Sequence, residues 1–229
     1  MRREWARLRF ASILIGLGVL SAAPQAQATT TYTLTQEFSG SGAGNLSSTI
    51  APTVTIQDNG SGTVTITMAA HFTTTSPFID EIYMNFVPDT SVGSLSISQN
   101  SGPTATVSQS TDFFRPDGDG FFDILFDFPQ SGNRFDNTDT AVFTITCSSC
   151  SPQIGESSFT VLSEAGPGNT SNDFWHVAAH IQGLGASANQ SGFYGDGNGG
   201  GGTTQVPAPT ALVLLGAGLL GLNLLRRRA

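Results

Sequence analysis

The segment Arg115-Pro116-Asp117-Gly118-Asp119-Gly120-Phe121-Phe122-Asp123-Ile124 gathers carboxylates and flexible backbone into one short stretch. Calcium loops of the D-x-D-x-D-G-x-x-D type set oxygens around a tight turn that glycine lets bend. Asp117, Asp119, Gly120 and Asp123 fit the later positions of that pattern, while Arg115 stands where the first carboxylate should be. Two readings follow. Either Asp117, Asp119 and Asp123 hold calcium, completed by carbonyls or by Asp112, or Arg115 pairs with an aspartate in a structural turn. The arginine favours the turn.

His176-Val177-Ala178-Ala179-His180 has the H-x-x-x-H spacing that puts two imidazoles on one face of a helix. The metalloprotease form needs Glu directly after the first His, and Val177 is there. On a strand the two histidines also share a face, but stand roughly 13 Å apart at ~3.3 Å per residue, too far for one ion. Cys147-Ser148-Ser149-Cys150 lacks the βαβ surroundings of a redox pair, and in an oxidising compartment it reads as a small turn disulfide. No G-x-S-x-G elbow is present. Asp80-Glu81 could serve a glycosidase only on one face, whereas neighbours on a regular strand point to opposite faces.

The elements that must position these groups are strands. Thr53-Val54-Thr55-Ile56 and Thr63-Val64-Thr65-Ile66-Thr67-Met68 alternate with period two around Asp58-Asn59-Gly60-Ser61-Gly62, a hairpin signature. Further strands are expected at Tyr32–Phe38, Phe78–Val87, Leu95–Ser98, Ala105–Ser108, Phe121–Phe128, Ala141–Cys147, Phe159–Ser163 and Phe174–Gln182. In Phe122–Phe128 the even positions are apolar, with Asp123 and Asp127 opposite. No sustained helical period interrupts them. The expected fold is all-β, an antiparallel β-sandwich with the jelly roll as one form of it, flanked by an N-terminal signal helix and a C-terminal transmembrane helix.

Both ends read as addresses. Arg2, Arg3, Arg7 and Arg9 precede the apolar run Phe10 to Leu20, and Ala26-Gln27-Ala28 offers a small-x-small cleavage site before Thr29. That run spans roughly 16 Å as a helix, too short for a ~30 Å hydrocarbon core. At the other end Val206-Pro207-Ala208-Pro209 leads into the apolar Ala211 to Leu225 and then Arg226, Arg227 and Arg228. The arginines prefer the cytoplasmic side, so the body would face outward. The expected organisation is a signal peptide at 1–28, a β-domain at 29–190, a Gly-rich flexible linker at 191–205 and a sorting segment at 206–229.

That C-terminal arrangement resembles the PEP-CTERM sorting signal, on Val206, Pro207, Pro209 and Arg226 to Arg228, with Ala208 where the family has Glu. The resemblance implies processing by an exosortase after Sec export, a temporary membrane stay, and deployment at the cell surface or in an extracellular polysaccharide matrix. Two internal stretches, Asp117 to Ile124 and His176-Val177-Ala178-Ala179-His180-Ile181-Gln182-Gly183-Leu184-Gly185, are similar to stretches of uncharacterised PEP-CTERM proteins and imply no catalytic residue.

Charge narrows the partners. Between Thr29 and Pro209 only Arg115 and Arg134 are basic, against the 17 acidic residues of the chain less Glu4, a formal −14. Lysine is absent. Such a body repels nucleic acid and anionic membranes, and suits solubility or divalent cations. The expectation is a non-enzymatic exported protein of structural or adhesive role. A carbohydrate-binding module is the first alternative, requiring an exposed aromatic row from Trp175, Tyr83, Tyr194 and Phe193. A secreted hydrolase is the second, requiring converging carboxylates or an acid beside His71, His176 or His180.

Overall fold

A computed structural model describes residues 27–118, 120–164, 174–197 and 203–205. The signal segment through Ala26 and the sorting motif at Val206, Pro207, Pro209 and Arg226 to Arg228 lie outside the described residues, as does Asp119. Thirteen strands are described: β1 (Thr29–Thr33), β2 (Gln36–Gly40), β3 (Thr53–Asp58), β4 (Thr63–Ala69), β5 (Phe78–Met84), β6 (Ser96–Ser101), β7 (Thr106–Phe114), β8 (Phe122–Asp127), β9 (Phe135–Asp136), β10 (Thr140–Thr146), β11 (Val177–Leu184), β12 (Gln190–Gly195) and β13 (Thr203–Gln205). Among the described residues no helix is long and apolar enough to cross a membrane.

The strands form two antiparallel sheets. One runs β13-β1-β3-β4-β10-β6, and the other β2-β12-β11-β5-β8-β7 with β9 beside β5. In the first sheet Val54, Ile56, Val64, Ile66, Phe143 and Ile145 point inward and are fully buried, while their threonine neighbours face out. The second sheet contributes Ile79, Ile82, Ile124, Phe126, Val177 and Ile181 to the same core. Phe126 on β8 meets Phe143 on β10 with ring centroids 4.7 Å apart. The sandwich-like all-β architecture is therefore a consequence of period-two patterning with one apolar face per sheet.

The expected hairpin is β3–β4, closed by Asn59 N–H on the Thr63 carbonyl, with Gly60, Ser61 and Gly62 at positive φ. Other boundaries differ. The expected strand Tyr32–Phe38 divides: β1 and β2 lie in different sheets, and Leu34, fully buried, turns the chain between them. The expected strand Phe159–Ser163 does not form: Glu156–Phe159 is a 3₁₀ turn that drives Phe159 into the core against Phe86, and 160–163 run on outside any strand.

The expected linker at 191–205 also needs correction. Its first residues complete β12, and Thr203–Gln205 forms β13 against β1. Gly192 and Gly195 serve close approach, while 198–202 of the expected linker lie outside the described residues. A Cβ on Gly40 would meet Gly192 Cα at 2.5 Å, and one on Gly195 would meet the Trp175 ring at 2.2 Å. Phe193 and Tyr194 between them fix the strand by packing on opposite faces.

Candidate functional site

The outer face of the β5-containing sheet carries the functional candidates. Strand register aligns Thr106, Asp127, Glu81, His180, Phe193 and Ser39 as one row across β7, β8, β5, β11, β12 and β2. The neighbouring row holds Leu125, Tyr83, Ala178 and Gly195. Over it sits Trp175, stacked on Phe38 at 5.0 Å, in a cluster with Tyr83, Phe122 and Ala178. One half of the face is thus apolar and covered, the other charged.

A β-bulge builds the charged half. His180 pairs with Glu81 and Ile181 with Ile79, so Asp80 is an extra residue with no partner on β11. A bulge re-aims side chains that alternation would separate. Asp80, Glu81 and His180 each bring a metal-ligating atom, all within 4.8 Å of one another. This corrects the opposite-faces expectation for Asp80-Glu81. His180 Nδ1 lies 3.0 Å from Asp80 Oδ2 and 3.9 Å from Glu81 Oε2. Gln182 and Gln130 donate their amides to Asp80 Oδ2 at 2.6 and 3.0 Å, and the Tyr83 hydroxyl donates to Glu81 Oε2 at 2.5 Å. Phe193 stacks on the His180 ring at 4.4 Å.

Electrostatics follow from these contacts. Burial pushes the Asp80 carboxyl up, but the hydrogen bonds from His180, Gln182 and Gln130 outweigh it and hold Asp80 below its ordinary range. Burial, the bond to Glu81 and nearby carboxylates push Tyr83 well up. Burial and the Asp80 charge push Asp127 up.

A second acidic site lies where β7 meets β8. Gln109 pairs with Ile124 and Phe114 with Phe122, so four residues of β7 bulge out opposite Asp123. Asp123 fastens that bulge. Its Oδ1 accepts the Asp112 N–H at 2.8 Å and its Oδ2 the Phe86 N–H at 2.9 Å. Asp112 takes a φ of +47° there. The bulge also turns Phe122 to the outer cluster with Trp175, whereas even-residue alternation places it with Ile124 and Phe126. A cavity of about 240 Å³ opens beside it, lined by Asp89, Asp112, Asp123 and Glu164 among Asn85, Phe86 and Leu162. Burial first, then the charges of Asp112 and Asp89, raise Asp123 despite its two backbone bonds. Burial and Asp89 raise Asp112. Such a cavity favours a proton or a cation.

The sequence candidates are distributed over these places. Asp117 accepts a hydrogen bond from the Ser39 hydroxyl and does not line the cavity that Asp123 lines. The Arg115 guanidinium lies 4.8 Å from the Phe121 ring centroid. Cys147 and Cys150 form a disulfide, Cα atoms 5.4 Å apart, buried at the end of β10. His176 binds Asp196 through Nδ1 at 2.8 Å and stacks on Tyr32, while His180 binds Asp80, so each imidazole has its own aspartate. Trp175, Tyr83 and Tyr194 are buried, and no exposed row of the four aromatics forms. His71 Nε2 meets the Thr53 hydroxyl at 3.0 Å.

Asp89, Glu164, Gln130 and Gln182 were invisible as site residues because only the fold brings them to their partners. For Asp80-Glu81 a signal existed: two adjacent carboxylates interrupt the apolar strand Phe78–Met84 and mark a bulge. No protein-family model, no curated protein and no solved structure matches the chain.

Proposed function

We propose that this chain is an exported, non-enzymatic surface protein. It is passed through Sec, processed by an exosortase at its C-terminal signal, and deployed at the cell surface or in an extracellular polysaccharide matrix in a structural or adhesive role. The observation that carries this reading is the pairing of address patterns at both ends with a disulfide between Cys147 and Cys150 in the body. Disulfides persist in oxidising compartments. The first strand begins at Thr29, the residue that the expected cut after Ala28 leaves first. The finer description of the body remains a sandwich, with jelly-roll likeness as part of the proposal.

The test is expression of the full chain in a bacterium with an active exosortase and in the same strain lacking it. Intact mass of the surface fraction should show an N-terminus at Thr29 and loss of the arginine tail. Without the exosortase the tail should stay, and the protein should sediment with membranes. Full-length, reduced protein dissolved in cytosol would overturn the proposal.

Calcium is the cofactor proposed for the body, held by Asp123 with Asp112 and the two further carboxylates of the cavity. The support is their mutual repulsion, which a divalent ion would relieve. The same converging carboxylates are what the alternative hydrolase reading requires. The cavity, about 240 Å³, is below the ~300–1,000 Å³ of ordinary ligand pockets, which favours the ion. Turnover of a polysaccharide by the purified chain, lost in D123N, would reverse that order.

A further inference from the structure

We propose that Asp80, Glu81 and His180 form a binding site for a divalent transition-metal ion, with zinc as the ion it fits best.

The ligand chemistry is an imidazole nitrogen with two carboxylate oxygens, a set that zinc accepts with water in the remaining position. Two ligands at about 2.1 Å from a tetrahedral zinc stand about 3.4 Å apart. The observed separations from His180 Nδ1, 3.0 Å to Asp80 and 3.9 Å to Glu81, bracket that value. Modest rotation of the glutamate closes the set around one ion.

Two further observations point the same way. Asp80 is 3% exposed, yet its Oδ1 is sealed from water and has no hydrogen-bond partner. A buried carboxylate oxygen left unmatched is costly, and bidentate coordination by Asp80, through Oδ1 as well as the Oδ2 that faces His180, would satisfy it. Each ligand is also held by a second group: Asp80 by Gln130 and Gln182, Glu81 by Tyr83, and His180 by the stacked Phe193 ring. Supporting contacts of this kind orient metal ligands. The His180 and Glu81 side chains are 18% and 28% exposed, so an ion can enter from solvent.

The test uses the full chain without a histidine tag, purified in mild detergent, stripped with chelator and titrated with zinc chloride by calorimetry. We expect one zinc per chain. H180A and E81Q should each weaken binding by at least about tenfold. H176A, at the other histidine–aspartate pair, should bind as the parent does. Near-ultraviolet dichroism checks folding, and E81Q, a shape-conserving change at a partly exposed residue, serves if H180A does not fold. Cobalt in place of zinc should give visible absorption that E81Q diminishes. No bound zinc, or stoichiometric zinc that H180A and E81Q leave within twofold, overturns the proposal. The second result would place the ion elsewhere.

Discussion

Asp123 does two jobs that substitutions can separate. As a structural group it accepts the N–H groups of Asp112 and Phe86 at 2.8 and 2.9 Å. As a charge it is unfavourable, because burial and the neighbours Asp112 and Asp89 raise its carboxyl above the ordinary range. D123A leaves both N–H groups without an acceptor. At about 1–3 kcal/mol for each unsatisfied donor, the loss is roughly 2–6 kcal/mol. In a domain of this size 1 kcal/mol moves Tm by about 2–4 °C, so a 3 kcal/mol loss lowers it by roughly 6–12 °C. D123N keeps one acceptor, turns an amide against the other N–H, and removes the buried charge. The two changes oppose each other, and its calcium-free stability should stay within about 1 kcal/mol of the parent. Melts followed by dichroism in chelator and in millimolar calcium then form a two-by-two comparison. The parent should gain stability with calcium, whereas both variants should gain much less. The reasoning fails if D123A melts with the parent in chelator, or if D123N keeps the full calcium response.

Three other outcomes follow from single contacts. At Gly183 φ is +72° and a Cβ would stand 2.0 Å from the Ser76 carbonyl oxygen, so G183A should destabilise by more than about 2 kcal/mol. G93A, with open space at its Cβ, should change stability by less than about 0.5 kcal/mol by urea titration. Replacing Cys147 and Cys150 by serine opens a very short ring, and the loss should be roughly 2 kcal/mol or less. For pH the signs oppose. Asp112 and Asp123 are raised, so the native state holds more protons than the unfolded chain just above 3.8, and calcium-free stability rises as pH falls into that window. Asp80 is lowered, so its contribution is complete above 3.8 and lost as pH falls through its depressed value. Calcium-free melts should therefore peak in mild acid and decline below it; a steady fall from neutrality would contradict the assignments.

Most of the two-sheet, all-β fold was legible because its strands obey one rule. Val54, Ile56, Val64 and Ile66 alternate with threonine, and a period of two fixes both the strand and its inward face. Reading failed where that period breaks. Asp80 and Glu81 were assigned to opposite faces, and the bulge opposite His180 brings them together. Phe122 was assigned inward with Ile124, and the wide bulge at Asp112 turns it out. Gly192 and Gly195 were read as the start of a tether because composition does not tell flexibility from close packing. Gly192 against Gly40 and Gly195 under Trp175 are the second case. Of the expected calcium residues, Asp123 lines an acidic cavity, but its companions there, Asp89 and Glu164, are distant in sequence and carry no local signal.

Both chemical sites sit at irregularities of the same sheet, and this has a physical basis. In a regular antiparallel pair every backbone group is matched, and neighbouring side chains diverge, so carboxylates cannot converge from adjacent positions. A bulge relaxes both conditions. At Asp80 it adds one residue and sets two carboxylates beside one imidazole. At Asp112 it frees an N–H that Asp123 accepts, which draws a charged side chain into the strand junction with the cavity beside it. The cost of each arrangement is an acidic group held away from water. The sheet offsets it with amides and an imidazole at Asp80, and with backbone N–H groups at Asp123. The compensation differs between the two. Asp80 ends below its ordinary range with one oxygen still unmatched, whereas Asp123 ends above it among like charges. A nitrogen-bearing site with a spare oxygen suits a transition ion, and an all-oxygen site with excess charge suits calcium. Neighbouring bulges on one sheet would thus select different cations through the donors that surround them.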